Sequence, residues 1–119
     1  MVARARALHD RDGATFTTAI EEVGAADYAV ASGIFNVKLD FPDDEWRQYV
    51  QDVLDDLDRL GTSGFAFNML TTYSDPARRR ADLYYGNPTE VFEACRRFSS
   101  RVALLHDYPL FEFTIIVRK

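Results

Sequence analysis

The side chains able to do chemistry in this 119-residue chain are few and scattered. His106 and Asp107 stand side by side, and a histidine near a carboxylate can act as general base for an oxygen or nitrogen nucleophile. Both close an apolar run, and neighbours on a strand point to opposite faces, so they are not expected to pair directly. Ser32, His106 and an aspartate supply the residue types of a hydrolase triad, but no nucleophile-elbow pattern surrounds Ser32. Asn36 follows the apolar pair Ile34-Phe35; its amide can orient a substrate nucleophile or cap its own turn. Asn68 interrupts an apolar run, and a buried amide there needs partners, either Asn36 or a loop, unless it faces a cleft. Tyr84 and Tyr85 can wall a pocket or stack on a planar substrate. Alternatively, one ring plugs the core while the other covers a loop. Arg78, Arg79 and Arg80 can attract an anion, or form a solvated charge run. His9, in an Arg-rich stretch, is expected at the surface. Cys95 sits at helical spacing from Val91, Phe92 and Phe98 and reads as core.

These residues must be positioned by elements whose periods alternate between 2 and 3.6, the pattern of an α/β domain. Residues 2–9 suit a short helix, Asp12-Gly13 a turn, and Ala14 to Thr18 a β-prone run. Asp27 to Phe35 reads as a mostly buried strand, with Ser32 and Gly33 near its end. Asp43 to Leu60 is a helix: Trp46, Tyr49, Val50, Val53, Leu54, Leu57 and Leu60 share one face. Asp43, Asp44 and Glu45 suit its N-terminal dipole, and Gly61 ends it. Gly64 to Leu70 is a second buried strand, followed by a loop over 71–87. Asn87, Pro88 and Glu90 are an N-cap, a first-position proline and a capping-box residue for a further helix. Val102 to His106 and Phe111 to Val117 flank Asp107-Tyr108-Pro109-Leu110, which predicts a terminal antiparallel hairpin.

Composition narrows the function. The length fits one domain, large enough to bury about two-thirds of its unfolded surface without disulfides or metals. Fourteen Lys and Arg against nineteen Asp and Glu give a net charge of −5. That argues against a nucleic-acid or anionic-membrane binder, since both need a basic face. One cysteine excludes an internal disulfide and a multi-cysteine zinc site, and with two histidines no metal site is expected. No apolar run approaches the roughly 20 residues of a membrane span. The basic start Met1 to Arg6 lacks a following apolar core, so a secretory signal is not expected. A cytoplasmic protein is expected.

The element order of the second half, and the wording of several segments, resemble one family. Ala31-Ser32-Gly33-Ile34-Phe35-Asn36, Trp46, Phe65-Ala66-Phe67-Asn68, Asp82-Leu83-Tyr84-Tyr85, His106-Asp107-Tyr108 and Glu112-Phe113-Thr114 are similar to a bacterial, poorly characterised subgroup of the class I S-adenosylmethionine-dependent methyltransferases. The resemblance runs from Asp27 to Lys119 and concerns the C-terminal half of that fold. It implies a partial Rossmann-like α/β sheet, mostly parallel, ending in an antiparallel hairpin, within a single truncated domain. By the resemblance, Ser32 and Gly33 border the cofactor S-adenosylmethionine, while Asn36, Tyr84, Tyr85 and His106 line the site of a small-molecule substrate. Methyl transfer is an in-line displacement that depends on positioning, so no residue is singled out as catalytic.

The family's cofactor-binding first half has no counterpart here. None of the six glycines forms a G-x-G-x-x-G pattern. Gly61-x-x-Gly64 lies between a helix and a strand, the reverse of a phosphate-cradle order. By the resemblance, two βαβ-scale units, about 60 residues, are expected to be absent, and Glu21 or Glu22 stands late for the acidic residue expected after the third strand. The deficit implies an exposed edge on the Asp27–Phe35 strand. Three repairs are open: Thr15–Thr18 fills the slot, two copies pair as a homodimer, or another chain supplies the missing half. Two functions follow. One is a methyltransferase or its truncated remnant. The other is a non-catalytic dimerisation or partner-binding module. A third expectation is that the chain is an incomplete reading of a longer gene, with Met1 an internal start.

Overall fold

The structure, a computed structural model, describes residues 16–17 and 19–119. The expected helix over 2–9, the Asp12-Gly13 turn and most of the Ala14–Thr18 run lie outside the described residues. Phe16 and Thr17 belong to no strand.

After a 3-10 turn at Ile20–Glu22 the elements are β1 (Ala26–Ala31), α1 (Asp43–Leu60), β2 (Gly61–Leu70), a 3-10 turn at Pro76–Arg78, α2 (Pro88–Cys95), β3 (Arg101–Leu105) and β4 (Glu112–Arg118). The sheet order is β1-β2-β4-β3. The chain's last strand is thus inserted between β2 and β3. β1 and β2 are parallel, and β4 is antiparallel to both β2 and β3. β3 therefore runs the same way as β1 and β2, and the expected terminal hairpin is present.

Both helices start and stop where their residues dictate. The Asn87 side chain accepts from the Thr89 and Glu90 amides, satisfying donors that helix geometry leaves free. Gly61 closes α1, its N–H reaching the Leu57 carbonyl. Val50, Leu54, Leu57 and Leu60 are the buried stripe of α1, whereas Tyr49, on the edge of that stripe, stays exposed. α1 packs on β1 and β2, and α2 packs on β3 and β4. Both cover the same sheet face, where Ala31, Phe65, Phe67, Met69, Phe113, Ile115 and Val117 form the core. Cys95 joins them, fully buried as expected; loss of hydration pushes its thiol up to about 12.

The first strand departs from expectation in two ways. It ends at Ala31 rather than Phe35, because Gly33 turns the chain with φ +73, a conformation that favours glycine. It is also mostly exposed rather than mostly buried. As a sheet edge with the described helices on one side only, it leaves Tyr28 68% and Val30 77% exposed.

Candidate functional site

Three parallel strands bring their carboxyl ends to one end of the sheet, the place where open α/β sheets bind ligands. β1 delivers Ser32, Gly33 and Asn36. β2 delivers Asn68 and Thr71, and β3 delivers His106. The loop over 71–87 is stitched onto the same end by short bridges, Val37 to Leu83 and Thr71 to Gly86. The Tyr84 amide donates to the Asn36 carbonyl at 2.8 Å, and the Gly86 amide to the Leu70 carbonyl at 2.8 Å. Tyr84 and Tyr85 are thereby fixed beside the β1 and β2 ends.

Asn68 resolves the question of its partners. The register pairs Ala31 with Phe67, which sets Ser32 level with Asn68. The Asn68 Oδ1 accepts from the Gly33 amide at 2.7 Å, and its Nδ2 donates to the Ser32 hydroxyl at 3.2 Å. The amide thus locks the turn after β1. Asn36 does a parallel job, its Oδ1 accepting from the Leu70 amide at 3.3 Å. Asn68 and Asn36 therefore hold the chain next to each other's strands without bonding one another through those atoms.

The two tyrosines divide the roles open to them. Tyr84 is buried in the core cluster, and its hydroxyl meets the Arg47 guanidinium. That hydrogen bond holds Arg47 more firmly protonated than an ordinary arginine. Tyr85 is half-buried. Its hydroxyl accepts from the Arg80 amide at 3.0 Å, and the Arg79 guanidinium lies 5.4 Å over its ring. Both rings line an open cleft of ≈ 640 Å³. Lys38, Arg47, Arg79 and Arg80 line it too, with Asp43 and Glu90 opposite in charge. Of the arginine run, Arg79 and Arg80 are thus cleft residues rather than only a solvated face.

His106 stands apart. Its Nε2 is 2.8 Å from the Thr71 hydroxyl, and its ring stacks on Phe113 and tilts against Tyr73. It borders a separate hollow of ≈ 540 Å³ with Tyr73, Tyr108 and Phe111. β2 and β4 intervene between the strands carrying Ser32 and His106. Three strand spacings, about 14 Å, separate them, so the two cannot share a proton as a triad. Among the described residues no group of three or more His, Cys, Asp and Glu is placed to hold a metal ion, and no helix is long and apolar enough to cross a membrane.

Sequence reading misses Lys38, Arg47 and Thr71. Arg47 is hidden by position, because it flanks the apolar stripe of α1 and looks like any solvated helix residue. Thr71, wholly buried at the end of β2, carries no pattern that marks it. Lys38 has a faint signal: a cation five residues ahead of Asp43, which it meets at 3.5 Å.

No family model matches the chain. "Putative methyltransferase Rv1506c" of Mycobacterium tuberculosis is 51% identical over 119 residues, covering 98% of this chain and 72% of that protein. Among solved structures, magnesium protoporphyrin IX methyltransferase from Synechocystis PCC 6803, determined with bound S-adenosylmethionine, matches with a TM-score of 0.57 at 12% identity. The match covers 98% of this chain and 52% of the cyanobacterial one, so the chain spans about half of that structure. By its half-identical mycobacterial relative the chain belongs to a methyltransferase family, and its α/β fold is that of the C-terminal half of a class I S-adenosylmethionine-dependent methyltransferase.

Proposed function

We propose that the chain acts in S-adenosylmethionine-dependent methyl transfer to a small molecule, as a methyltransferase or a truncated remnant of one. The observation that carries the reading is the convergence of the β1, β2 and β3 carboxyl ends, with Ser32, Gly33, Asn36 and Tyr85 grouped at one end of the sheet. Ser32 and Gly33 are the residues we assign to the cofactor. The turn they form is held open: Asn68 fixes it from behind, and nothing lies within 4 Å of a Cβ built on Gly33. That space and the Ser32 hydroxyl fit the amino-acid end of the cofactor. The sequence offers no G-x-G-x-x-G turn for its adenosyl end, and we derive no contact there. When bound, S-adenosylmethionine supplies an electrophilic methyl group on a sulfonium. The protein's task is then orientation. We assign Asn36, Tyr84 and Tyr85 to the acceptor; His106 borders a separate hollow three strand spacings away and takes no step in the transfer.

Calorimetric titration with S-adenosylhomocysteine tests this. Micromolar binding by the purified chain is expected; a folded sample that releases no heat overturns the cofactor assignment for this chain.

One observation favours a second reading, a partner-binding or homodimeric module. The sheet face opposite the helices and the β1 edge expose Tyr28, Val30 and Leu105, and a bare strand edge is a template for pairing. Light scattering after size exclusion separates the readings: a dimer that binds no S-adenosylhomocysteine favours the module. Cytoplasm is the compartment we propose, in keeping with a lone reduced thiol at Cys95.

A further inference from the structure

The chain carries a net charge of −5, yet its cleft beside Tyr84 and Tyr85 sets four cations against two carboxylates. Each cation is positioned by a contact that leaves donors over. The Lys38 ammonium donates to the Phe41 carbonyl at 3.3 Å and sits 3.5 Å from Asp43, with its side chain only 14% exposed. Arg47 is held by the Tyr84 hydroxyl. Arg79 donates to the Thr72 carbonyl and lies over the Tyr85 ring. Arg80 grips Asp82 through Nε at 3.1 Å and Nη2 at 2.7 Å. A guanidinium has five donors and an ammonium three, so these contacts orient the groups without exhausting them.

Helix geometry adds to the charge. Asp43, the first residue of α1, and Asn87, the cap of α2, both line the cleft. Two helix N-termini therefore open onto it with their positive ends. The half-buried Tyr85 ring supplies a flat apolar wall next to the cations. A cleft with fixed cations at its rim and an aromatic wall matches a small molecule that pairs an oxyanion with a planar or apolar body.

We propose that this cleft binds the phosphate or carboxylate group of a small molecule, with Arg79 and Arg80 as the exposed anion-binding rim, Lys38 and Arg47 as the inner pair, and Tyr85 as the wall against its body. On the reading above, that molecule is the methyl acceptor.

The test is a two-dimensional amide NMR titration of the whole chain with phenyl phosphate, benzoate and neutral benzyl alcohol. The anions are expected to shift Lys38 and the 79–87 amides together and to saturate, with the stronger of the two identifying the oxyanion. In R79Q/R80Q, both positions being exposed, affinity is expected to fall at least about tenfold, the value of one or two charge-assisted hydrogen bonds. Scattered shifts, equal shifts with benzyl alcohol, or undiminished binding by the folded R79Q/R80Q chain overturn the proposal. S-adenosylhomocysteine titration of the same sample keeps the two readings distinguishable. Cofactor binding without anion binding overturns the cleft assignment alone. Anion binding without cofactor binding supports the anion site and removes the methyl-transfer reading.

Discussion

Each face of the sheet carries a row of four apolar residues across the strands, and the two rows are treated oppositely. The row Ala31, Phe67, Ile115 and Leu104 crosses the four strands beneath the helices, and Phe67 and Ile115 there are 1% and 0% exposed. One residue along, Val30, Ala66, Ile116 and Ala103 cross the same strands on the other face. That row is equally apolar but has no described layer over it, and Val30 is 77% exposed. Residue type does not distinguish the rows; the covering helices do. The comparison places stability on the helix side and leaves the open side as the surface that the partner-binding reading requires.

The comparison breaks first at Phe67. This ring packs edge-on against Phe35 at 5.5 Å, and Phe67→Ala is expected to cost about 3–5 kcal/mol in urea unfolding, as a cavity in a packed core does. A cost under about 1 kcal/mol would mean the helix side is not the stabilising one.

Gly64 probes how tightly β2 and β4 are pressed together on the same side. Its φ of +153 and the Val117 carbonyl beside it leave no room for a Cβ. Gly64→Ala is expected to lower stability by about 1–3 kcal/mol, read as an earlier urea midpoint with unchanged slope.

Cys95 reports the dryness of the covered face. Its thiol is raised to about 12 by burial, so the folded state holds the proton more tightly than the unfolded chain. Its contribution is complete below the unfolded value and declines as pH rises toward the folded one. Where it dominates, the slope is at most about 1.4 kcal/mol per pH unit. Thiol reagents near neutral pH should label Cys95 only in denaturant. Labelling of the native protein would show that α2 opens.

Asn68 sharpens the comparison at the sheet end. Asn68→Ala removes its bonds to Gly33 and Ser32 and is expected to cost about 1 kcal/mol, together with any S-adenosylhomocysteine affinity. Val30→Lys on the open face is the smallest change, within about 0.5 kcal/mol for a monomer. In light scattering, conversion of a dimer to monomers by Val30→Lys would establish the open side as an interface.

Much of the fold is legible in the sequence. The α1 stripe, the Asn87 cap and the terminal hairpin follow from local rules: period, capping chemistry and a short polar connection. The resemblance carried by Phe65-Ala66-Phe67-Asn68 and the neighbouring segments agrees with the family found. The site is legible only in part. Asn36 does meet Tyr84 through the backbone, and Ser32 and Gly33 follow the end of β1 at the same end of the sheet, but His106 lies across two intervening strands, because β4 returns between β2 and β3. Nothing local in His106-Asp107 encodes that insertion. The end of β1 escapes the local pattern for a related reason: Ile34-Phe35 continues the apolar run, while Gly33 has already turned the chain.

The sequence by itself determined the two described α-helices, the Asn87 cap and the Gly61 stop, and that Cys95 and the aromatic strands form a core, since these depend on neighbours within a few residues. Tertiary structure alone decided which apolar row is covered, which of two tyrosines is buried, and that Lys38, Arg47, Arg79 and Arg80 share one cleft. Those facts depend on which elements pack side by side, and contacts between residues far apart in the chain leave no periodic trace in it.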